Sequence, residues 1–244
     1  MCTSAQGALL SREHVCALRA ACARLVAVRR LVRVRLLCRE PEEPLQLIAR
    51  AALEHFWRDD SFAKETREKA ELAAERVVME IEGYGEVELG FYPNAAPVTV
   101  AHIVKLFSMG CYDTNHVFRV DKGFVAQVQS VDASSVQKPL SAECKEEAKK
   151  TVPGEFTEVP HVRGILSMGR MSDPNSGGSS FSMLLGRAAH LDAQYTVFGK
   201  VLRGDAVLSE LEQVKTKKEG IFVMPLERIT ITRAYVVGSE RAPR

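Results

Sequence analysis

The sequence has no Cys-x-x-Cys pair anywhere in its 244 residues. That spacing is the usual frame for a zinc ribbon or a thioredoxin-like redox motif, so its absence argues against both. Four of the six cysteines (Cys2, Cys16, Cys22 and Cys38) lie in the first 40 residues. Only Cys111 and Cys144 lie in the body, and their positions in sequence leave pairing open. Residues 1–40 contain no lysine and almost no acid, with eight Arg against Glu13 and Glu40. This leader is apolar, yet Arg recurs every few residues, and one Arg at bilayer mid-depth costs about 2.5 kcal/mol or more. It is therefore not a membrane span. Neither internal repeats nor low-complexity segments occur.

The formal net charge is only +2, and the leader alone carries +6, which leaves −4 on residues 41–244. A mildly acidic body argues against broad nucleic-acid binding. An Arg-rich, acid-poor leader is what an organellar transit peptide looks like. We expect import into a mitochondrion or plastid ahead of the secretory route, with a tail or a start placed too far upstream as the plainer reading.

Residues 41–75 lack glycine, and beyond Pro41 and Pro44 they are rich in Ala, Leu, Glu, Lys and Arg, so they read as a helical extension. Leu47, Ala51, Leu53, Phe56 and Trp57 give it one apolar face, which needs either the main domain or another protein to cover it. From Val77 the period changes. "VVMEIEGYGEVELGFY" alternates about Gly83-Tyr84-Gly85 and predicts a hairpin. "APVTVAHIVKLFSMG" predicts a helix opened by Pro97 and stopped at Gly110. Strands follow at "HVFRVDKGFVAQ", "RGILSMGR", "SSFSMLL", "YTVFGKVL" and "LERITITRAYVV". A short surface helix is expected in 139–151 and a second capping helix at "GDAVLSELEQV". The pattern suggests a mainly β fold, an antiparallel barrel capped by two helices, over residues 76–238, with 239–244 as a tail.

Three patches break strand logic: Arg119, Phe124 and Gln127; the Gly/Ser/Asn-rich "SMGRMSDPNSGGSSFSMLL"; and "HLDAQYTVFGK". Ser179, Ser180 and Ser182 stand in no Gly-x-Ser-x-Gly turn, so pairing them with His190 into a hydrolase triad has little support. A lone arginine on an amphipathic strand is ordinary. The three patches together are not.

From about Arg76 to Val237 the chain resembles the cyclophilin family of peptidyl-prolyl isomerases, in its divergent plant-type branch. "FRVDKGFVAQ" is similar to the family's F-[HF]-R-x-x-x-G-F-x-x-Q, "GILSMGR…PNSGGSSF" to G-x-L-S-M-A-N…G-S-Q-F-F, and "HLDAQYTVFGKV" to [WH]-L-D-x-x-x-x-V-F-G-x-V. The resemblance implies an eight-stranded antiparallel barrel and an enzyme that needs no cofactor. It implies Arg119 as the catalytic arginine, Gln127 as the amide that holds it and meets substrate backbone, and Phe124 as the floor of a proline pocket with Leu191 as a second wall. Phe118, Val125, Gly169, Arg170, Ser180, Ser182, His190 and Tyr195 complete the implied substrate-binding set. Proline in a peptide is an apolar ring joined to an amide, and such a site offers a partner for each part.

Several positions depart from the commonest family pattern. Ser180 stands for Gln, Ser182 for Phe, His190 for Trp, Tyr195 for His, and Gly169-Arg170 for Ala-Asn. The loop after Gln127 reads "VQSVDASSVQKP" where the family has a Gly-rich one. Such a rim implies weak cyclosporin binding, with proline-containing peptides or proteins as partners, and leaves as the alternative a weakly active or inactive module of this fold that binds proline-containing segments or serves as a subunit of a larger assembly.

The leader reading predicts that residues 1–40 fused to a fluorescent reporter direct it to an organelle. A uniformly cytosolic signal would leave the tail or misplaced-start reading standing.

Overall fold

Apolar residues spaced two apart need a sheet with one buried face, and a sheet of eight such strands satisfies its edges by closing on itself. The computed structural model describes residues 66, 68–133 and 139–238. All lie in one compact unit running from Asp60 to Arg244. The leader and most of the predicted helical extension, with its apolar face, fall outside the described residues.

In chain order the elements are β1 (Arg76–Ile81), β2 (Gly85–Phe91), α1 (Pro97–Ser108), β3 (His116–Asp121), β4 (Val125–Val128), α2 (Ala142–Ala148), β5 (Ile165–Met168), β6 (Phe181–Leu184), a 3₁₀ turn (Ala189–Leu191), β7 (Val197–Arg203), α3 (Asp205–Leu211), β8 (Thr216–Glu219), β9 (Phe222–Pro225) and β10 (Ile229–Val237). Eight strands close in the order β1-β10-β3-β4-β6-β5-β7-β2, and every pair is antiparallel. The expected barrel is therefore present. Strands β8 and β9 form a separate two-stranded hairpin that the sequence reading left unassigned.

Val77, Met79, Val87, Leu89, Val117, Val120, Ala126, Val128, Phe181 and Met183 point inward, and α1 covers them with Val100, Ile103, Leu106 and Phe107. Aromatic rings fill the middle: Phe107 stacks on Tyr112 with centroids 4.2 Å apart, and both meet Phe181 edge-on. A smaller cluster lies on the outer face of the sheet, built from Tyr92, Ala95, Val125, Val159, Ile165, Leu184, Ala188 and Val197. Ala70 and Leu72, which precede β1, pack on this second cluster, and the Ala73 N–H donates to the Phe91 carbonyl at 2.9 Å.

Helix α1 starts without a capping side chain of its own. Its free N–H groups are met instead by Glu155, whose two carboxylate oxygens accept from Val98 and Thr99 at 3.0 and 2.8 Å. A carboxylate there also faces the positive end of the helix dipole. Helix α2 is less superficial than its charge suggests, because Cys144 and Glu147 are buried. The Glu147 carboxylate accepts from Lys105 and Lys150 at 2.7 and 2.8 Å and lies 3.4 Å from His102. Those lysines hold its pKa down at about 2.

Cys111 and Cys144 form a disulfide that ties the turn after α1 to α2, across 33 residues of sequence. Closing a loop of that size restricts the unfolded chain and contributes about 2–4 kcal/mol. Reducing it, or replacing Cys144 with Ser, is expected to lower unfolding stability by about that amount in denaturant titrations. Equal midpoints for the oxidised and reduced protein would contradict a structural role.

Candidate active site

On β3, Val117 and Val120 both face the core. Strict alternation would turn either Phe118 or Arg119 inward between them. The ladder with β4 avoids this by shifting register between Val117 and Arg119, a bulge that leaves both Phe118 and Arg119 on the outer face. The turn Asp121-Lys122-Gly123 then reverses the chain, with Gly123 at φ 71° and the Phe124 N–H donating to the Asp121 carbonyl at 2.9 Å. Arg119 and Gln127 become cross-strand partners. The Arg119 Cζ lies 5.2 Å from the centre of the Phe124 ring. The three residues singled out from the sequence thus meet on one hairpin.

The row continues sideways. Gln127 is opposite Ser182 on β6, and Ser182 is opposite Ser167 on β5. Ser182 is buried, at 9 % exposure. Leu184, Val125 and Ile165 extend the same face as an apolar floor, against which Phe124 and Leu191 pack. His190 is exposed, its ring 5.2 Å from that of Phe124.

One expectation is corrected by the geometry. Gln127 does not hold Arg119: its Nε2 donates to the Ser180 hydroxyl at 3.2 Å. Ser180 in turn donates to the Val128 carbonyl at 2.8 Å. The guanidinium of Arg119 instead pairs with Asp121 at 3.2 Å, and its buried Nε finds no hydrogen-bond partner among the described residues. Phe222 on β9 was not anticipated, yet its ring centre lies 5.7 Å from the same Arg119 Cζ. Its ring also meets Phe118 edge-on at 5.5 Å. The Glu219-Gly220 turn before the apolar "IFVMP" was the available signal for this hairpin.

The rim departures interlock. Arg170 stacks on Tyr195, with Cζ 4.2 Å from the ring centre, and donates to the carbonyls of Met171 and Gln194 at 2.9 and 3.2 Å. Its side chain is engaged in holding its own loop. Gly169 has no room for a larger residue, because a Cβ there would lie 2.8 Å from the Ser180 carbonyl oxygen.

Ser179, one of the serines weighed against His190, is held elsewhere. Ser179 accepts from the Val131 N–H at 3.1 Å and contacts Ser130 at 2.9 Å. A Ser-His-Asp line does exist elsewhere: His161 lies 3.0 Å from Ser167 through Nε2 and 3.2 Å from Asp192 through Nδ1. His161 is fully enclosed and Ser167 is 3 % exposed, so no substrate reaches them. Burial lowers the His161 pKa, against the opposing pull of the Asp192 carboxylate. The line fastens Asp192, and with it the adjacent Leu191, to the back of β5. A cavity of about 520 Å³ lies elsewhere, bordered by Asn94, Pro97, Glu155, Phe156 and Val159.

Residues 76–236 match the family model described as cyclophilin type peptidyl-prolyl cis-trans isomerase/CLD. The chain is 59% identical over 175 residues to the peptidyl-prolyl cis-trans isomerase CYP23 of Arabidopsis thaliana, covering 72% of this chain and 76% of that one. It is 32% identical over 151 residues to a probable peptidyl-prolyl cis-trans isomerase of Brucella abortus, covering 61% and 77%. Among solved structures, a cyclophilin type peptidyl-prolyl cis-trans isomerase of Cryptosporidium parvum superposes with a TM-score of 0.57 at 22% identity, over 68% of this chain and 99% of that one. The same protein solved in the presence of the dipeptide Ala-Pro superposes with a TM-score of 0.56.

Proposed function

The chain belongs to the cyclophilin-type peptidyl-prolyl cis-trans isomerase family, and we propose that it turns over X-Pro bonds in peptides and proteins on the outer face of the β3–β4 hairpin, with Arg119 as the catalytic group. The observation that carries this is the meeting of Arg119, Phe124 and Gln127 on one bulged hairpin, beside an apolar floor.

Rotation about a peptide bond breaks no covalent bond, so it calls for neither a nucleophile nor a metal. The obstacle is amide resonance, worth a barrier of about 18–20 kcal/mol. In the twisted state the prolyl nitrogen loses conjugation, becomes pyramidal and gains basicity. A guanidinium N–H aimed at that nitrogen binds the twisted state more strongly than the planar one, which is the condition for catalysis. Arg119, whose side chain keeps 19 % exposure on this face and pairs with Asp121 through one terminal nitrogen, supplies such donors. Phe124 and Leu191 receive the prolyl ring, and Val125 lies in the floor beneath them. Gln127, held by Ser180, presents its amide to substrate backbone. Phe118, Gly169, Arg170, His190 and Tyr195 frame the groove on either side. The ligand class is a proline-containing segment, and the Cryptosporidium parvum protein was solved in the presence of such a dipeptide, Ala-Pro. Such an activity serves folding chains, whose X-Pro bonds otherwise equilibrate in tens to hundreds of seconds.

For localisation, the Arg-rich leader supports import into an organelle, while the Cys111–Cys144 disulfide supports an oxidising compartment.

NMR exchange spectroscopy on a short X-Pro peptide tests the activity. The full chain is expected to accelerate cis/trans exchange, and Arg119→Ala to reduce that acceleration about 100-fold. Equal catalysis by both proteins would overturn the assignment.

The same site is expected to bind cyclosporin weakly. A Trp indole donates a hydrogen bond that the exposed His190 replaces with a shorter group, and Ser182 offers no ring for apolar contact. One lost hydrogen bond costs about 1 kcal/mol, roughly fivefold in affinity. Calorimetric titration of the wild type, His190→Trp and Ser182→Phe should show affinity rising in each variant. Tight binding by the wild type would contradict this.

A further inference from the structure

We infer that Phe222, carried by the β8–β9 hairpin, is a positioning residue for Arg119, taking over a task that Gln127 does not perform in this chain. The inference rests on the isomerase reading for its kinetic consequence, though not for its geometry.

A guanidinium directs its N–H bonds within its own plane. To donate to one nitrogen in a transient twisted state, the plane must be held at a set tilt before substrate arrives. A side chain with several rotatable bonds needs restraints from outside to achieve that. Arg119 has one edge restraint, the 3.2 Å pairing with Asp121. The second edge restraint that the resemblance implied is missing, because Gln127 is turned to Ser180.

Ring contacts are what remain. Phe124 reaches the guanidinium from the same hairpin at 5.2 Å. Phe222 reaches it from a different element at 5.7 Å. Both separations fall inside the roughly 6 Å range in which a ring face attracts a cation. The two residues approach from separate parts of the chain, so together they restrict the tilt that Asp121 alone leaves free.

The hairpin is built to deliver this ring. Among the described residues, strands β8 and β9 pair only with each other and take no place in the barrel ladder. Glu219 and Phe222 are register partners across the turn at Gly220, whose φ of 62° suits glycine. All four β8 residues are exposed, whereas all four of β9 are half-buried. Phe222 is fixed in turn by its edge-on contact with Phe118, the residue placed outward by the β3 bulge. Asp121, Phe124 and Phe222 thus surround one guanidinium.

The test compares Phe222→Leu, which keeps apolar bulk but removes the ring face, with Phe222→Tyr, which keeps the face, both in the full chain. Two readouts are taken. One is the Arg119 side-chain Nε–H resonance in ¹⁵N-edited NMR without substrate. The other is kcat and KM on an X-Pro peptide. Phe222→Leu is expected to shift and broaden the Arg119 resonance and to lower kcat about fivefold, with KM changed less than twofold. Phe222→Tyr is expected to restore both, and unchanged β8–β9 amide resonances in the Leu variant would show that the hairpin still folds. An Arg119 resonance unmoved by Leu, or a kcat loss that Tyr does not restore, would overturn the inference. If the wild type catalyses no exchange, the isomerase reading fails separately, and the Arg119 resonance still decides the positioning role.

Discussion

The site depends on a single irregularity in β3. Between two core valines, Val117 and Val120, the strand carries an extra residue and so presents Phe118 and Arg119 on the same side. Without it, a guanidinium or a phenyl ring would be driven into the barrel, or the core would lose a valine. Each alternative costs more than the bulge, since burying an unpaired charge is prohibitive and a fully buried large apolar side chain contributes about 1.5–3 kcal/mol. The closed barrel supplies the rigidity that keeps the bulge in place. Everything outside it follows: Arg119 opposite Gln127, Gln127 opposite Ser182, Ser182 opposite Ser167. The row is a cross-strand line fixed by register, and a slip of one residue would send all four inward.

The departures along the rim form small local solutions. Arg170 and Tyr195 differ from the common family residues together, and in the fold they stack on each other at 4.2 Å. Gly169 stands where the Ser180 carbonyl leaves no space for a methyl group. Ser180 takes the Gln127 amide, and the β8–β9 hairpin brings a second ring to the arginine. Substituting Arg170 or Tyr195 alone toward the common pattern would remove the stack between them, so single reversions there should be less instructive than the paired one.

Much of this was legible in the residues. The residues anticipated all eight barrel strands, and period-two alternation marked β1, β2 and β10, because each of those has one face in the core and one more open. Pro97 and Gly110 bracketed α1 correctly to within two residues, since they act through local backbone restrictions. The motif residues Arg119, Phe124 and Gln127 do converge. What sequence did not reveal depends on long-range approach. The Arg170–Tyr195 stack joins loops 25 residues apart, Glu155 caps a helix that begins 58 residues earlier, and Phe222 reaches Arg119 across more than 100 residues. The pairing of Cys111 with Cys144 was equally invisible, as it rests on α1 and α2 lying side by side. Gln127 was misread for a related reason: its acceptor, Ser180, is a departure whose hydroxyl only the fold brings within reach.

The central claim is that the Arg119 edge faces the prolyl nitrogen while Phe124 supports the ring. A crystal structure of the protein with a short Ala-Pro-containing peptide tests this most directly. The account predicts the prolyl ring on Phe124 and Leu191, with a guanidinium N–H donor of Arg119 within about 3.5 Å of the prolyl nitrogen. A peptide seated elsewhere, for instance in the cavity beside Glu155 and Phe156, or bound on the hairpin with its proline turned away from Arg119, would contradict it.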